Sequence, residues 1–410
     1  MRHGSLRLIT DNKTSANSLL LTACVISFVC FLGSYMRVPI VPLLATSMGA
    51  DTVQVGLING AFMLMAGALS VPSGLISDRI GRRLPLLGGL ILLAGSSFLL
   101  YWSESLVQMA VIYLFFGIGL SAFSPTLMSY VADFTAPEKL GRAYGWYTMA
   151  LYAGMTVGPA AGGFLSSTIG LRSVFLVSGS LISAMLFVAL IFLPRTTTPP
   201  HGTGKSQTII PALKALMRNR RLVACLIATV GGCAGFGMFT TFMPLYIHSL
   251  RMDASQVGFV FATQALANAL SRLPSGRICD GSADRSLMVT WGLALFAVAL
   301  AGFGICHSAL SLMAVAALMG LSMGVTFTVI CAMIADVVPR ELRGLAMGCY
   351  NTCIYAGMML SSIGLGSIIR GAGFRAGFFL SGAIVVLAML AFRLVYRRPD
   401  ALDCVSSRPC

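Results

Sequence analysis

The chain has 410 residues, 57% of them hydrophobic and only 10% charged, and its mean hydropathy is +0.87. That composition excludes an ordinary soluble domain. The net charge of +15 sits in short clusters between apolar runs, which favours contact with anionic headgroups over nucleic-acid binding.

In chain order, nearly uncharged apolar runs cover 19–47, 53–77, 84–103, 106–132, 143–169, 173–194, 222–250, 254–279, 286–306, 308–335, 344–369 and 373–396. Each reaches the roughly 20 residues that a helix needs to cross about 30 Å of hydrocarbon. Lipid offers no partners to backbone N–H and C=O groups, so the spans must be helical. The long stretch from 286 to 335 is divided near His307-Ser308. The expected fold is an all-α membrane protein of twelve transmembrane helices in two six-helix bundles.

The expected divisions are a tail over 1–17, a first bundle over 18–194, a linker over 195–221, a second bundle over 222–397 and a tail over 398–410. The linker reads as a Thr/Pro/Gly tether followed by a basic amphipathic segment from Ile209 to Arg221. Arg79, Arg82, Arg83, Lys139, Arg142, the linker bases, Arg340, Arg343, Arg397 and Arg398 all fall on one side. By the positive-inside rule that side is cytoplasmic, and so are both termini. No cleavable signal peptide is expected, because the first 17 residues are polar and the first apolar run is too long. The eleven cysteines form no C-x-x-C pair, so neither a disulfide framework nor a metal site is expected. No nucleophile–base pair is recognisable, which argues against an enzyme, and no cofactor is implied.

The most informative feature is a repeat. Pro42, Asp51, Gln54-Val55-Gly56, Pro72-Ser73-Gly74 and Asp78 recur 202 residues later as Pro244, Asp253, Gln256-Val257-Gly258, Pro274-Ser275-Gly276 and Asp280. After a slip of one residue, Ala132-Asp133, Glu138 and Tyr152-Ala153-Gly154 recur as Ala335-Asp336, Glu341 and Tyr355-Ala356-Gly357. A half-length repeat in a very apolar chain is a common plan of secondary transporters, with a site at the bilayer midplane between the copies. The two bundles are therefore expected to be related by pseudo-twofold symmetry.

Three motifs carry chemistry. Gly74-Leu-Ile-Ser-Asp78-Arg79-Ile-Gly81-Arg82-Arg83 joins a tight turn to a carboxylate and a basic cluster. The second copy keeps the glycine and Asp280 without the arginine cluster. Asp133 with Pro137-Glu138, echoed by Asp336 with Pro339 and Glu341, punctuates a second turn. Gly154, Gly158, Pro159, Gly162 and Gly163 put small residues on one helix face beside a proline that permits a bend.

These motifs resemble those of the major facilitator superfamily, and the third looks like the antiporter motif of its drug–proton exporters. The resemblance implies alternating access, with a latch on the cytoplasmic side built from Gly74, Asp78, Arg79, Gly81, Arg82, Arg83, Asp133, Glu138, Arg142, Asp280, Asp336 and Glu341. It implies export of a small organic, amphipathic or drug-like compound by proton exchange. Its rivals are a facilitator or importer of a small anionic metabolite, and a lipid flippase or membrane sensor. The implied partners are a small-molecule substrate, protons and membrane lipid, with a monomer as the working unit.

Two departures bear on coupling. Tyr113 stands where many proton-coupled members carry arginine, and no Asp or Glu falls in the middle of a span. Arg37 is the charge well inside the first span. One reading makes it a ligand for an anionic or zwitterionic substrate, and another a structural group that snorkels or bonds a carbonyl freed near Pro39 or Pro42. Arg272 divides likewise between latch and substrate roles. The family's cavity is lined by spans one, four, seven and ten, which nominates Tyr35, Ser124, Phe236, Thr240 and Thr326. Gln264 with Asn268 and Tyr350 with Asn351 add polar candidates that serve equally as interhelical bonds.

Overall fold

The computed structural model describes residues 16–135, 140–193, 209–281, 284–339 and 342–397. Glu138 and Glu341 lie outside that set, as do the side chains of Asp78, Arg79, Arg142 and Asp280. The helices are α1 (Ala16–Met36), α2 (Ile40–Ser47), α3 (Thr52–Ile80), α4 (Arg83–Tyr101), α5 (Leu106–Phe134), α6 (Leu140–Ile169) and α7 (Ser173–Phe192). They continue with α8 (Ile209–Arg218), α9 (Arg220–Ser249), α10 (Ala254–Gly281), α11 (Arg285–Phe303), α12 (Ala309–Val337) and α13 (Arg343–Arg397).

With the ten-residue α8 set aside as too short to cross a membrane, two irregularities convert the other elements into twelve spans. Pro39 has no N–H to continue α1, so a turn over residues 37–39 separates α1 from α2 within one span. Inside α13, Gly373 has φ 81° and ψ 171°, a backbone that residues with a side chain rarely adopt, and the element divides there into two spans. The apolar run from 286 to 335 divides as expected: α11 ends at Phe303, and the Ser308 hydroxyl caps α12 by accepting from the Ser311 N–H at 3.3 Å.

Among the described residues, nine segments are long and apolar enough to cross a membrane by composition alone. That set leaves out α6 and α10 and counts α13 once. Both omitted helices pack against each other across the bundle boundary, so their less apolar faces meet protein. Elsewhere the surface exposes large apolar side chains such as Ile191, Trp291 and Leu310, which lipid solvates at no cost.

The repeat is visible in the packing. α1 lies on α6, α3 on α5, α4 on α5 and α4 on α7. One repeat on, α9 lies on the first half of α13, α10 on α12, α11 on α12, and α11 on the second half of α13. Glycines set the closest approaches. A Cβ on Gly154 would fall 2.4 Å from the Phe28 carbonyl oxygen, and one on Gly357 would fall 2.3 Å from that of Val230. These are the same two positions in the two copies. Gly117 against Phe62 and Gly320 against Gln264 repeat the relation at 2.3 and 2.1 Å.

Adding a methyl group at such a point forces two helix backbones apart. Gly154→Ala and Gly357→Ala are each expected to lower stability by about 1–3 kcal/mol. Gly145→Ala and Gly364→Ala, where a Cβ meets nothing within 4 Å, are the neutral controls. Thermal unfolding of the purified variants in one detergent checks this.

Candidate functional site

Between the two bundles lies a narrow, largely apolar cleft. Its lining comes from both copies. Tyr35 and Val38 stand at the end of α1, Asn59, Phe62 and Met63 on α3, and Tyr113, Phe116 and Leu120 on α5. Phe236 and Thr240 on α9, with Tyr355 and Met358 on α13, close the other wall. Three of the candidate binding residues, Tyr35, Phe236 and Thr240, are therefore brought together here.

The other candidates stand elsewhere. Thr326 is buried against α11, where its hydroxyl lies 2.1 Å from the point a Cβ on Gly292 would occupy. Gln264 donates to the Met323 sulfur at 3.5 Å, inside the second bundle. Asn268 accepts from Arg272 Nε at 2.9 Å, and the Arg272 guanidinium lies 4.1 Å over the Tyr152 ring on α6. The Ser124 carbonyl accepts from Tyr147 at 3.3 Å, Tyr350 is buried, and Asn351 is exposed.

Arg37 lies behind the cleft, not in its lining. The turn at 37–39 sends its fully buried side chain between α4, α5 and α7. It donates to the Ser97 hydroxyl at 2.7 Å, the Ser96 hydroxyl at 3.1 Å and the Leu93 carbonyl at 3.3 Å. Ser97 is 3.2 Å from Ser178, which donates to the Gly33 carbonyl at 2.7 Å. The guanidinium carbon is 4.1 Å from the centre of the Phe116 ring, so Phe116 separates the charge from the cleft.

At the end of the molecule away from the described termini the bundles are in backbone contact. A Cβ on Gly163 of α6 would fall 2.8 Å from the Ala254 oxygen of α10. The repeat-related Gly366 of α13 would meet the Thr52 oxygen of α3 at 2.7 Å. Gly154, Gly158 and Gly162 turn the same face of α6 onto α1, with approaches of 2.4, 2.8 and 2.1 Å to the carbonyls of Phe28, Leu32 and Met36. Pro159 is buried beside them.

Two polar contacts lock the α3–α13 side. Thr52 donates to the Gly366 carbonyl at 2.7 Å, and Arg370 pairs with Asp51 at 3.0 Å. Asp51 also caps α3, with its carboxylate accepting from the Gln54 N–H at 2.8 Å and its own N–H donating to the Gln54 amide at 3.0 Å. The Gln54 N–H foremost, and Arg370 after it, hold the Asp51 carboxyl below the usual carboxylate range. The contact is thus intact at neutral pH and fails only in acid, as the carboxyl takes up a proton.

At the opposite end Arg82 pairs with Asp133 at 2.6 Å, joining the start of α4 to the end of α5. Arg285 pairs with Asp336 in the same way between α11 and α12. Arg285 is not among the residues that the sequence motifs nominate for the latch. Its signal was available: Arg285 follows Arg82, and Asp336 follows Asp133, at one common spacing. Arg83 donates to the Leu190 carbonyl at 3.0 Å. Gly81 ends α3 at φ 87°, and a Cβ on Gly74 would meet nothing within 4 Å.

The family model of the Major Facilitator Superfamily matches residues 23–254 and again 246–406. The chain belongs to that superfamily. Its members are secondary transporters that move small molecules across membranes, and this chain is a multi-pass membrane protein of that kind. It is 26% identical to the multidrug resistance protein MdtG of Proteus mirabilis, over 95% of this chain and 99% of that one. It is likewise 26% identical to the multidrug efflux protein YfmO of Bacillus subtilis, over 90% of each. Among solved structures it resembles a bacterial homologue of the lysosomal transporter Spinster, with a TM-score of 0.78, 15% identity, and coverage of 94% of this chain and 98% of that one. The nucleoside transporter NupG gives a TM-score of 0.76 at 14% identity, covering 92% of this chain and all 100% of that one.

Removing the Asp51 carboxylate should loosen the closed end. In a single-cysteine background, Asp51→Ala is expected to speed the labelling of a cysteine at position 240 by a reagent added from that side. Unchanged labelling would show that the glycine contacts seal it unaided. At the other end, Arg82→Gln and Asp133→Asn should each slow transport, and the double variant should be no slower than either, since both remove one pair.

Proposed function

We propose that this transporter exports a small organic, amphipathic or drug-like compound across the cytoplasmic membrane in exchange for protons. The observation that carries the reading is the glycine face of α6 around Pro159, which lies on α1 and reaches α10 at the closed end. Gly154, Gly158 and Gly162 hold α6 on α1 of its own bundle, while Gly163, one residue round the helix, meets α10 of the other, so the motif both binds a bundle together and limits how closely the two approach. The similarity to proteins named for multidrug efflux and resistance supports the direction.

In this reading the units 18–194 and 222–397 rock about the cleft, joined by the 195–221 linker, and a single chain suffices. The basic clusters put the described termini in the cytoplasm. The end closed by Gly163, Gly366 and the Asp51–Arg370 pair then faces outward. Asp78, Arg79, Arg82, Arg83, Arg142 and Asp133, with Asp280, Asp336, Glu138 and Glu341 of the facing loops, form the cytoplasmic gate. Opening the outer end requires the glycine contacts to part while those charges engage.

A second reading has support of its own. All thirteen acidic residues fall at span ends, in loops or in the tails, so a carboxylate carrier for protons is missing from the middle of the bilayer. That favours a facilitator or importer of a small anionic metabolite. Reconstituted protein separates the two. Proton exchange predicts faster substrate movement under an imposed pH gradient, whereas no response with a proven substrate rejects it.

A further inference from the structure

The two repeats differ in chemistry where Arg37 is buried. One repeat on, its place is taken by Phe239, fully buried and packed against Phe261 at 4.6 Å and Phe303 at 5.6 Å. Ser96 and Ser97 are likewise answered by Ala299 and Leu300, both buried and apolar. The fold therefore fills this position with hydrocarbon in one copy and with a guanidinium and two hydroxyls in the other. Hydrophobic residues of similar volume usually serve stability as well as a buried charge does, or better. Stability does not account for Arg37.

Its charge is also uncompensated. The three acceptors of Arg37 are neutral, and its Nε has no partner among the described residues. Arg keeps its proton under ordinary conditions. The positive field is felt in the cleft, one aromatic ring away. On the cleft's own wall, Asn59 and Tyr113 are at least nine-tenths buried, line the space and have no hydrogen-bond partner among the described residues. Both can donate. Around them stand Phe62, Phe116, Phe236 and Met358, an apolar surface for the rest of a ligand.

We propose that the cleft selects an amphipathic monoanion: its charged group accepts hydrogen bonds from Asn59 and Tyr113 in the field of Arg37, and its apolar body lies against the aromatic wall. Arg37 acts through the field and without touching the ligand; it is a positioning charge that discriminates against cations. A unit charge roughly 8 Å away at an effective dielectric of about 20 changes affinity on the order of thirtyfold. The inference rests on the cleft being the transport site, and it holds whichever way the ligand moves.

The test uses three ligands with one ring system: naphthalene carboxylate, naphthalene carboxamide and a naphthyl trimethylammonium. Calorimetric titration of the full chain in nanodiscs should rank them in that order. The carboxylate should bind on the order of thirtyfold tighter than the carboxamide, with the ammonium weakest. Arg37→Met should bring the three affinities together, while Asn59→Leu weakens the carboxylate and carboxamide alike and leaves the charge ranking in place. The wild-type ranking decides the matter even if Arg37→Met does not fold. An ammonium that binds as tightly as the carboxylate overturns the charge selection. Binding of none of the three overturns the cleft as the site, and the inference with it. Carboxylate transport indifferent to a pH gradient would overturn proton exchange yet leave the charge ranking standing.

Discussion

Backbone-to-backbone contact at glycine is the constraint on which this molecule depends. In lipid there is no hydrophobic gain from pressing one apolar helix on another, so association rests on close packing and the dispersion contacts it provides. Gly154, Gly158 and Gly162 let α6 lie directly on the carbonyls of α1, and Gly357 does the same for α13 on α9. The same chemistry reaches across the bundle boundary at Gly163 and Gly366. A contact made of small flat surfaces can form and part without burying a side chain in the other bundle. That suits an interface that must open in every cycle.

Polar contacts are laid over this packing with a different distribution. Arg82–Asp133 and Arg285–Asp336 tie neighbouring helices inside each bundle. Asp51–Arg370 ties one bundle to the other at the opposite end. Pairs of this kind near the surface contribute little stability. Their position gives them a use, since they bias which end is closed at small energetic cost. The deep polar element, Arg37 with its serines, breaks the symmetry of the two copies and stands beside the cleft.

Much of the architecture was legible in the chain. Spans, the linker helix and the split at His307-Ser308 follow from hydropathy and length, because the bilayer imposes one thickness on every crossing. The repeat predicted the paired packing of helices, and the glycine spacing predicted a close-contact face on α6. The cleft was legible only in part. Tyr35, Phe236 and Thr240 were nominated, yet Asn59, Phe62, Tyr113 and Tyr355 were not among the cleft candidates, because an aromatic or amide residue in an apolar span looks the same whether it faces a cleft, a neighbour or lipid.

The sequence by itself determined the class of molecule, the number of crossings, the duplication and the family, since each is a matter of composition or of spacing along one dimension. Only the tertiary structure decided which way the side chains point. Pro39 interrupts a helix in any reading, but the turn it makes is what swings Arg37 behind Phe116 and away from the cleft. Rotation about a helix axis by a single residue is about 100°. That angle separates a wall of the cleft from the interior of a bundle, and packing against the other helices fixes it.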